Sequence, residues 1–284
     1  MRAAARQRCA EHVYVACMNA FNTANNRPRA HGAFMIGTVV VVSAVLARLG
    51  DRQGVSRPLY DIHDIHAYYI NLEHDHQQNT LTRAQLEMVF GIGRVHRISG
   101  IKHDDGKEGC RLSHIKAHET ALASGREYYI VSEDGGWFMH TPGESRQIVH
   151  GALVDRPDLV LYNVGQFIEN SIELRATRNA HLYRMTGSGQ SAVMYMVHRS
   201  FGKILVDTWK QRPGDHIDYS WQPLWKQYRV YLSKPLLVRH IDTESNVEDG
   251  GVREEIQAFD WDLWEKCDQW RKQRNTPITT PCKF

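Results

Sequence analysis

The fold this sequence predicts is an α/β domain with a mixed, mainly parallel sheet, and three observations predict it. Short apolar runs alternate with segments of helical period from about residue 58 onward. The runs are rich in aromatic and β-branched residues, as in His66–Leu72 (HAYYINL) and Tyr128–Ser132 (YYIVS), the composition of buried strands. The helical segments stop at glycines, Gly91 and Gly125, where a helix end favours a residue without a side chain.

Taken in order, residues 1–29 carry Arg2, Arg6, Arg8, Arg27 and Arg29 ahead of an uncharged apolar run, Ala33–Ala47. A basic lead before such a run has the layout of a signal sequence or membrane anchor. The run is shorter than the roughly 20 residues a bilayer span needs, and Val39–Val42 suits a buried strand equally well. Two readings stay open, membrane association through 33–47 or a soluble or disordered extension, so the location is either cytoplasmic or membrane-associated. Gly50–Pro58 (GDRQGVSRP) reads as a linker, which separates an extension, 1–57, from a domain, 58–284.

Within that domain His66–Leu72 is the first strand. Thr80–Phe90 follows as a helix with Leu81, Leu86 and Val89 at helical spacing, capped by Thr80 or Thr82. Arg94–Ile101 is the second strand. Gly109–Ser124 is a helix with Leu112, Ile115 and Leu122 on one side, and Tyr128–Ser132 is a strand running directly into Glu133 and Asp134. Near the end, Glu254–Arg271 places Ile256, Phe259, Leu263, Cys267 and Trp270 at helical spacing, an amphipathic helix expected to pack on the domain. Its polar face mixes both signs of charge, which argues against a membrane surface.

Composition excludes several classes. With 284 residues, 42% hydrophobic and 24% charged, the chain can bury a substantial core. A net charge of +3 with interspersed signs gives no reason to expect a nucleic-acid partner, though it suits a phosphate-bearing ligand. The five cysteines, Cys9, Cys17, Cys110, Cys267 and Cys282, are scattered, odd in number and without a CxxC pair, so they read as reduced thiols. His63, His66, His74 and His76 have no metal-ligand spacing and read as solvated. Gly91-Ile92-Gly93 lacks the last glycine of a dinucleotide loop and reads as a helix stop.

The junction after Tyr128–Ser132 is the most informative feature. Ligands of open α/β sheets gather outside the carboxyl ends of the strands, and two carboxylates there are placed for a metal or a sugar. In order along the chain, Tyr69-Ile70-Asn71-Leu72, Gly109-Cys110-Arg111-Leu112-Ser113-His114 and Val131-Ser132-Glu133-Asp134 resemble the opening strand, the GC-x-LSH helix and the EDD strand end of glycosyltransferase family 25. That family comprises the lipooligosaccharide and collagen-type galactosyltransferases. Weaker similarity continues through 159–165, 189–205, Ile217-Asp218 and 235–239.

The resemblance implies a GT-A-like, Rossmann-related domain that binds a nucleotide sugar and moves a hexose from a UDP-sugar to a glycan or glycoconjugate, with Mn²⁺ or Mg²⁺. It implies Glu133 and Asp134 as metal ligands, with His240 and Asp242 as further ligands or as surface residues. Asn71 and Leu72 would lie beside the base or ribose, Gly109 and Cys110 would offer free helix N–H groups, and Ser113 and His114 would sit in the first turns. An inverting transfer needs a carboxylate to take the acceptor's proton; Asp218 is at the family's position for it, and Asp218 as a helix N-cap ahead of 219–228 is the competing reading. Gly187–Gln190 is the turn expected to face the acceptor. The chain departs from the family at Gly135, which stands where the second Asp of EDD is expected. A sugar-binding or scaffold protein without activity is therefore the alternative. A phosphate-ester hydrolase lacks a nucleophile or second metal cluster.

Overall fold

The computed structural model describes residues 61–163, 174–187, 191–240, 269 and 273–274. The chain divides into two units, Met1–Ser56 and Arg57–Phe284, and the described residues belong to the second. The extension 1–57 with its apolar run, residues 188–190 of the acceptor turn, Asp242, and all of 254–271 except Gln269 lie outside the described residues. Among the described residues no helix is long and apolar enough to cross a membrane.

The elements run β1 (His66–Asn71), α1 (His76–Phe90), β2 (Val95–Ser99), α2 (Gly106–Ala123), β3 (Tyr128–Glu133), β4 (Gly136–Phe138), α3 (Pro142–Leu153), β5 (Leu159–Leu161), β6 (Leu174–Ala176), β7 (Leu182–Met185), β8 (Met194–His198), α4 (Arg199–Lys210), α5 (Ile217–Ser220), β9 (Val230–Ser233) and β10 (Val238–His240). An eight-stranded sheet has the order β2-β1-β3-β8-β5-β9-β7-β6, and β10 pairs with β4 in a separate ladder. β1 is parallel to both β2 and β3, and β5 to β9, while β8 and β7 run against the other six strands. This is the mixed, mainly parallel α/β sheet expected.

Alternation along the strands sorts the core into two layers. Tyr68, Tyr129, Val131 and Tyr195 face Ile115, Ala117 and Ala121 of α2 and Phe201, Leu205 and Trp209 of α4. Ala67, Tyr69, Ile130 and Met196 face Leu86, Val89 and Phe90 of α1 and Ile148, Val149 and Leu153 of α3. Helices thus cover both faces, as parallel βαβ crossovers require.

The helix starts differ from expectation. Asp75, not Thr80 or Thr82, caps α1, its carboxylate accepting from the Gln78 N–H at 3.0 Å. Thr82 is buried and donates to the Asp134 carbonyl at 2.8 Å. α2 begins at Gly106 on the Asp105 cap, three residues before Gly109. In both places a short acidic side chain inside a polar stretch captures the free N–H groups before the apolar period begins. Downstream, the anticipated helix over 219–228 breaks into α5 and a 3₁₀ turn, Gln222–Leu224, since Pro223 has no N–H to extend the first helix.

Candidate active site

After β1 the chain moves outward to β2, whereas after β3 it moves the other way, toward β5 and β8. The loops leaving the carboxyl ends of these adjacent parallel strands therefore diverge and open a crevice between them. Asn71, the last residue of β1, spans it. Its amide donates to Asp134 Oδ2 at 2.8 Å and to the Asp75 carbonyl at 3.1 Å, and its Oδ1 accepts from Arg97 Nε at 3.0 Å. Arg97 also donates to the Leu72 carbonyl, so Asn71 and Leu72 are fixed by one guanidinium from β2.

Glu133 ends β3 and Asp134 follows it. Burial pushes the Asp134 carboxyl up to about 6, the donor from Asn71 opposes that, and the charges of Glu133 and Asp75 add to it. A divalent cation beside Asp134 would relieve this excess of negative charge.

Glu133 reaches a different set of partners. Its Oε1 lies 3.2 Å from His114 Nε2 and accepts from the Cys110 thiol at 3.9 Å. His114 Nδ1 is hydrogen-bonded to Tyr195 Oη at 2.9 Å, Tyr195 Oη to His118 Nε2 at 2.8 Å, and His118 Nδ1 to Tyr129 Oη at 2.7 Å. A buried relay of four hydrogen bonds thus runs from the centre of the sheet to Glu133. Burial drives the His118 pKa well below its ordinary range, with His114 adding to it. Burial, and then the Glu133 and Asp218 charges, hold the Cys110 thiol well above its own. Where the relay begins, Gly202 of α4 lies against Tyr129, and a Cβ at 202 would run into the phenol hydroxyl.

The charge of Asp218 is felt at Cys110 and Tyr195, two groups that the Glu133 charge also reaches. Its placement has an identifiable cause. Arg111 is paired with Glu108 and donates to the Trp209 carbonyl at 2.6 Å, while Glu108 accepts from the Gly214 N–H at 3.0 Å. These bonds clamp the α4–α5 connection onto the first turn of α2. Asp218 is the second residue of α5, whose N-cap is His216, so it is not the cap the competing reading expected.

Two expected donor contacts are corrected. The Gly109 N–H is taken by the Asp105 carbonyl at 3.0 Å, one turn inside α2, and is not free for a ligand. Ser113 is buried, donating to the Gly109 carbonyl and accepting from the Ile101 N–H, which holds the loop before α2. Of the other histidines, His66 pairs with His96 at 2.8 Å and His63 lies by Arg94. Among the described residues the group with metal-ligand proximity is Cys110, His114 and Glu133.

His240, at the end of β10, lies across the ladder from Gly136. A Cβ on Gly135 would stand 2.8 Å from His240 Nε2. The imidazole therefore fills the space a side chain at 135 would need, and an aspartate there requires the ring to move. The sequence reading missed His118, Tyr195 and Tyr129. One signal was present, since Cys110, His114 and His118 recur every fourth residue and so share one helix face.

No protein-family model matches this sequence, and no curated protein is detectably similar to it. Among solved structures, the chain is similar to a mannose-1-phosphate geranyltransferase from Thermus thermophilus, at 10% identity over 60% of this chain and 73% of that one, with a TM-score of 0.36. A likeness that slight carries no argument about activity.

Proposed function

We propose that the chain is a glycosyltransferase of the family 25 kind, moving a hexose such as galactose or glucose from a UDP-sugar to a glycan or glycoconjugate. The observation that carries the reading is the carboxylate pair Glu133-Asp134 at the end of β3, with Asp134 held by Asn71 across the crevice from β1. In this reading Glu133 and Asp134 hold Mn²⁺ or Mg²⁺, which supplies charge neutralisation for the departing diphosphate. Asp218 takes the proton of the acceptor hydroxyl, and Asn71 with Arg97 fixes the strand end under the nucleotide. His240 is the side chain best placed to stand in for the carboxylate absent at Gly135.

A second reading, a sugar-binding protein without transfer, is favoured by Gly135 itself. The test is UDP release by the full chain from several UDP-sugars, with and without Mn²⁺. Transfer is expected to need the metal and to fall about a hundredfold in Asp218→Asn, the scale of a lost general base. Donor binding without turnover in every combination would leave the second reading standing.

A further inference from the structure

Beside Glu133, the side of the crevice facing α2 contains a thiol and an imidazole that the proposed sugar transfer does not use. Cys110 and His114 stand one turn apart on one face of α2, and Glu133 closes the group from the end of β3. Their three liganding atoms lie within 4.8 Å of one another, with Cys110 Sγ 3.9 Å and His114 Nε2 3.2 Å from Glu133 Oε1. Ligand atoms about 2.0–2.3 Å from a shared tetrahedral ion are about 3.3–3.8 Å apart, so the Glu133–His114 pair is already near ligand spacing and the thiol has to draw in toward it.

We infer that Cys110, His114 and Glu133 form a binding site for a borderline transition-metal cation of the Zn²⁺ class, with the fourth position open toward the crevice. A thiolate, an imidazole and one carboxylate select Zn²⁺ or Co²⁺ over Mg²⁺ or Mn²⁺, which prefer oxygen. The site shares Glu133 with the oxygen site proposed for the donor diphosphate but adds a sulfur and a nitrogen ligand, and its geometry does not depend on sugar transfer.

The relay behind His114 supports the assignment. A metal-bound imidazole needs its other nitrogen held by a fixed partner, and Tyr195 Oη is at 2.9 Å from His114 Nδ1. Without an ion the relay can run from Tyr129 to Glu133, each hydroxyl or ring N–H donating to the next group. With an ion on Nε2 the His114 proton moves to Nδ1, and every bond from His114 back to Tyr129 reverses. The Cys110 thiol gives up its proton as the sulfur–metal bond forms, so one proton is released per ion.

Cobalt titration of the reduced, chelator-stripped full chain tests this. One equivalent of Co²⁺ is expected to give a sulfur-to-cobalt charge-transfer band with tetrahedral ligand-field bands, removed by equimolar Zn²⁺ but not by equimolar Mn²⁺, which binds sulfur poorly. Four other cysteines are present, so two variants separate them. Cys110→Ser should lose the charge-transfer band, and a chain with Cys9, Cys17, Cys267 and Cys282 all replaced by Ser should keep it. Tyr195→Phe, which leaves all three ligands in place, should weaken Co²⁺ binding about 10- to 100-fold. A charge-transfer band that survives Cys110→Ser, or a wild-type chain that gives none, overturns the site.

Discussion

The two faces of the sheet are built from different materials. Against α1 and α3 the core is mostly aliphatic and phenyl, with Leu86, Val89, Phe90, Ile148 and Leu153 meeting Ala67, Ile130 and Met196, and its phenols Tyr69 and Tyr162 bond separately, to Asn79 and to the Met196 sulfur. Against α2 and α4 the same sheet buries two imidazoles and two phenol hydroxyls in one connected chain, walled by Trp209 and Trp221. The aliphatic face is held by area removed from water and by close packing, which tolerate a shift of atoms. The relay face is held by directional bonds, each of which fails if its partner leaves. Both faces bury apolar surface that stabilises the sheet, and the relay face in addition fixes the angle at which Glu133 is presented.

The largest effect that tests this contrast is removal of one ring from the relay. His118→Ala leaves a cavity and the buried Tyr129 hydroxyl without its partner, and should cost about 4 kcal/mol in urea unfolding. Leu86→Ala on the other face leaves only a cavity, at about 3 kcal/mol. The contrast is sharper in combination. Tyr129→Phe should recover part of the His118→Ala loss, because the orphaned hydroxyl goes with it, whereas it should simply add to Leu86→Ala. Additive behaviour in both backgrounds would break the comparison.

Next in size is a pH effect on the crevice. The Asp134 pKa in the folded chain, about 6, is above its ordinary 3.8. The folded protein therefore holds this proton more tightly than the unfolded one, and stability is greatest at low pH. The contribution is lost as pH rises from about 4 to about 6 and is flat above that, a loss on the order of 3 kcal/mol. Unfolding followed across that range in chelator should show this slope in the wild type and its disappearance in Asp134→Asn. An unchanged slope in the variant would assign it to another group.

Gly135→Ala should cost about 1–2 kcal/mol, since the new methyl meets His240 Nε2. His240→Ala in the same chain should restore most of it, and calorimetric melting of the three variants measures this. Smallest of all, breaking the Arg83–Glu87 pair on the exposed side of α1 by Arg83→Ala should cost only about 0.3–0.5 kcal/mol, within reach of urea titration.

What could be read in the sequence followed the range of the interaction. The β1 and β3 strands were legible because branched and aromatic residues cluster there, and Glu133-Asp134 because a carboxylate pair directly after a buried strand is rarely placed there without a partner. The helix starts were not, because Asp75 and Asp105 cap from within polar stretches where several residues compete for the role. Tyr195 was invisible as a partner of His114 and His118 because it lies 81 and 77 residues away. Gly135 was legible as a departure, but the reason there is room for no side chain, the His240 ring, comes from a strand that only the fold brings beside it. Asp218 was read as either base or cap; α5 starts on His216, and the clamp from Glu108 to Gly214 that sets its position leaves no local pattern.

The contact between Gly202 and Tyr129 restricts the order in which this protein can change by descent. An alanine at 202 meets the phenol oxygen and also stands 3.3 Å from His118 Nδ1. Tyr129→Phe removes the obstructing oxygen first and leaves a chain that still folds with a shortened relay. Alanine at 202 is then tolerated, with the ring carbon beneath it at 3.1 Å. Taken the other way round, the first step lands on a clash. Lineages related to this one should accordingly pair a larger residue at 202 with phenylalanine at 129, and those that keep the tyrosine should keep the glycine.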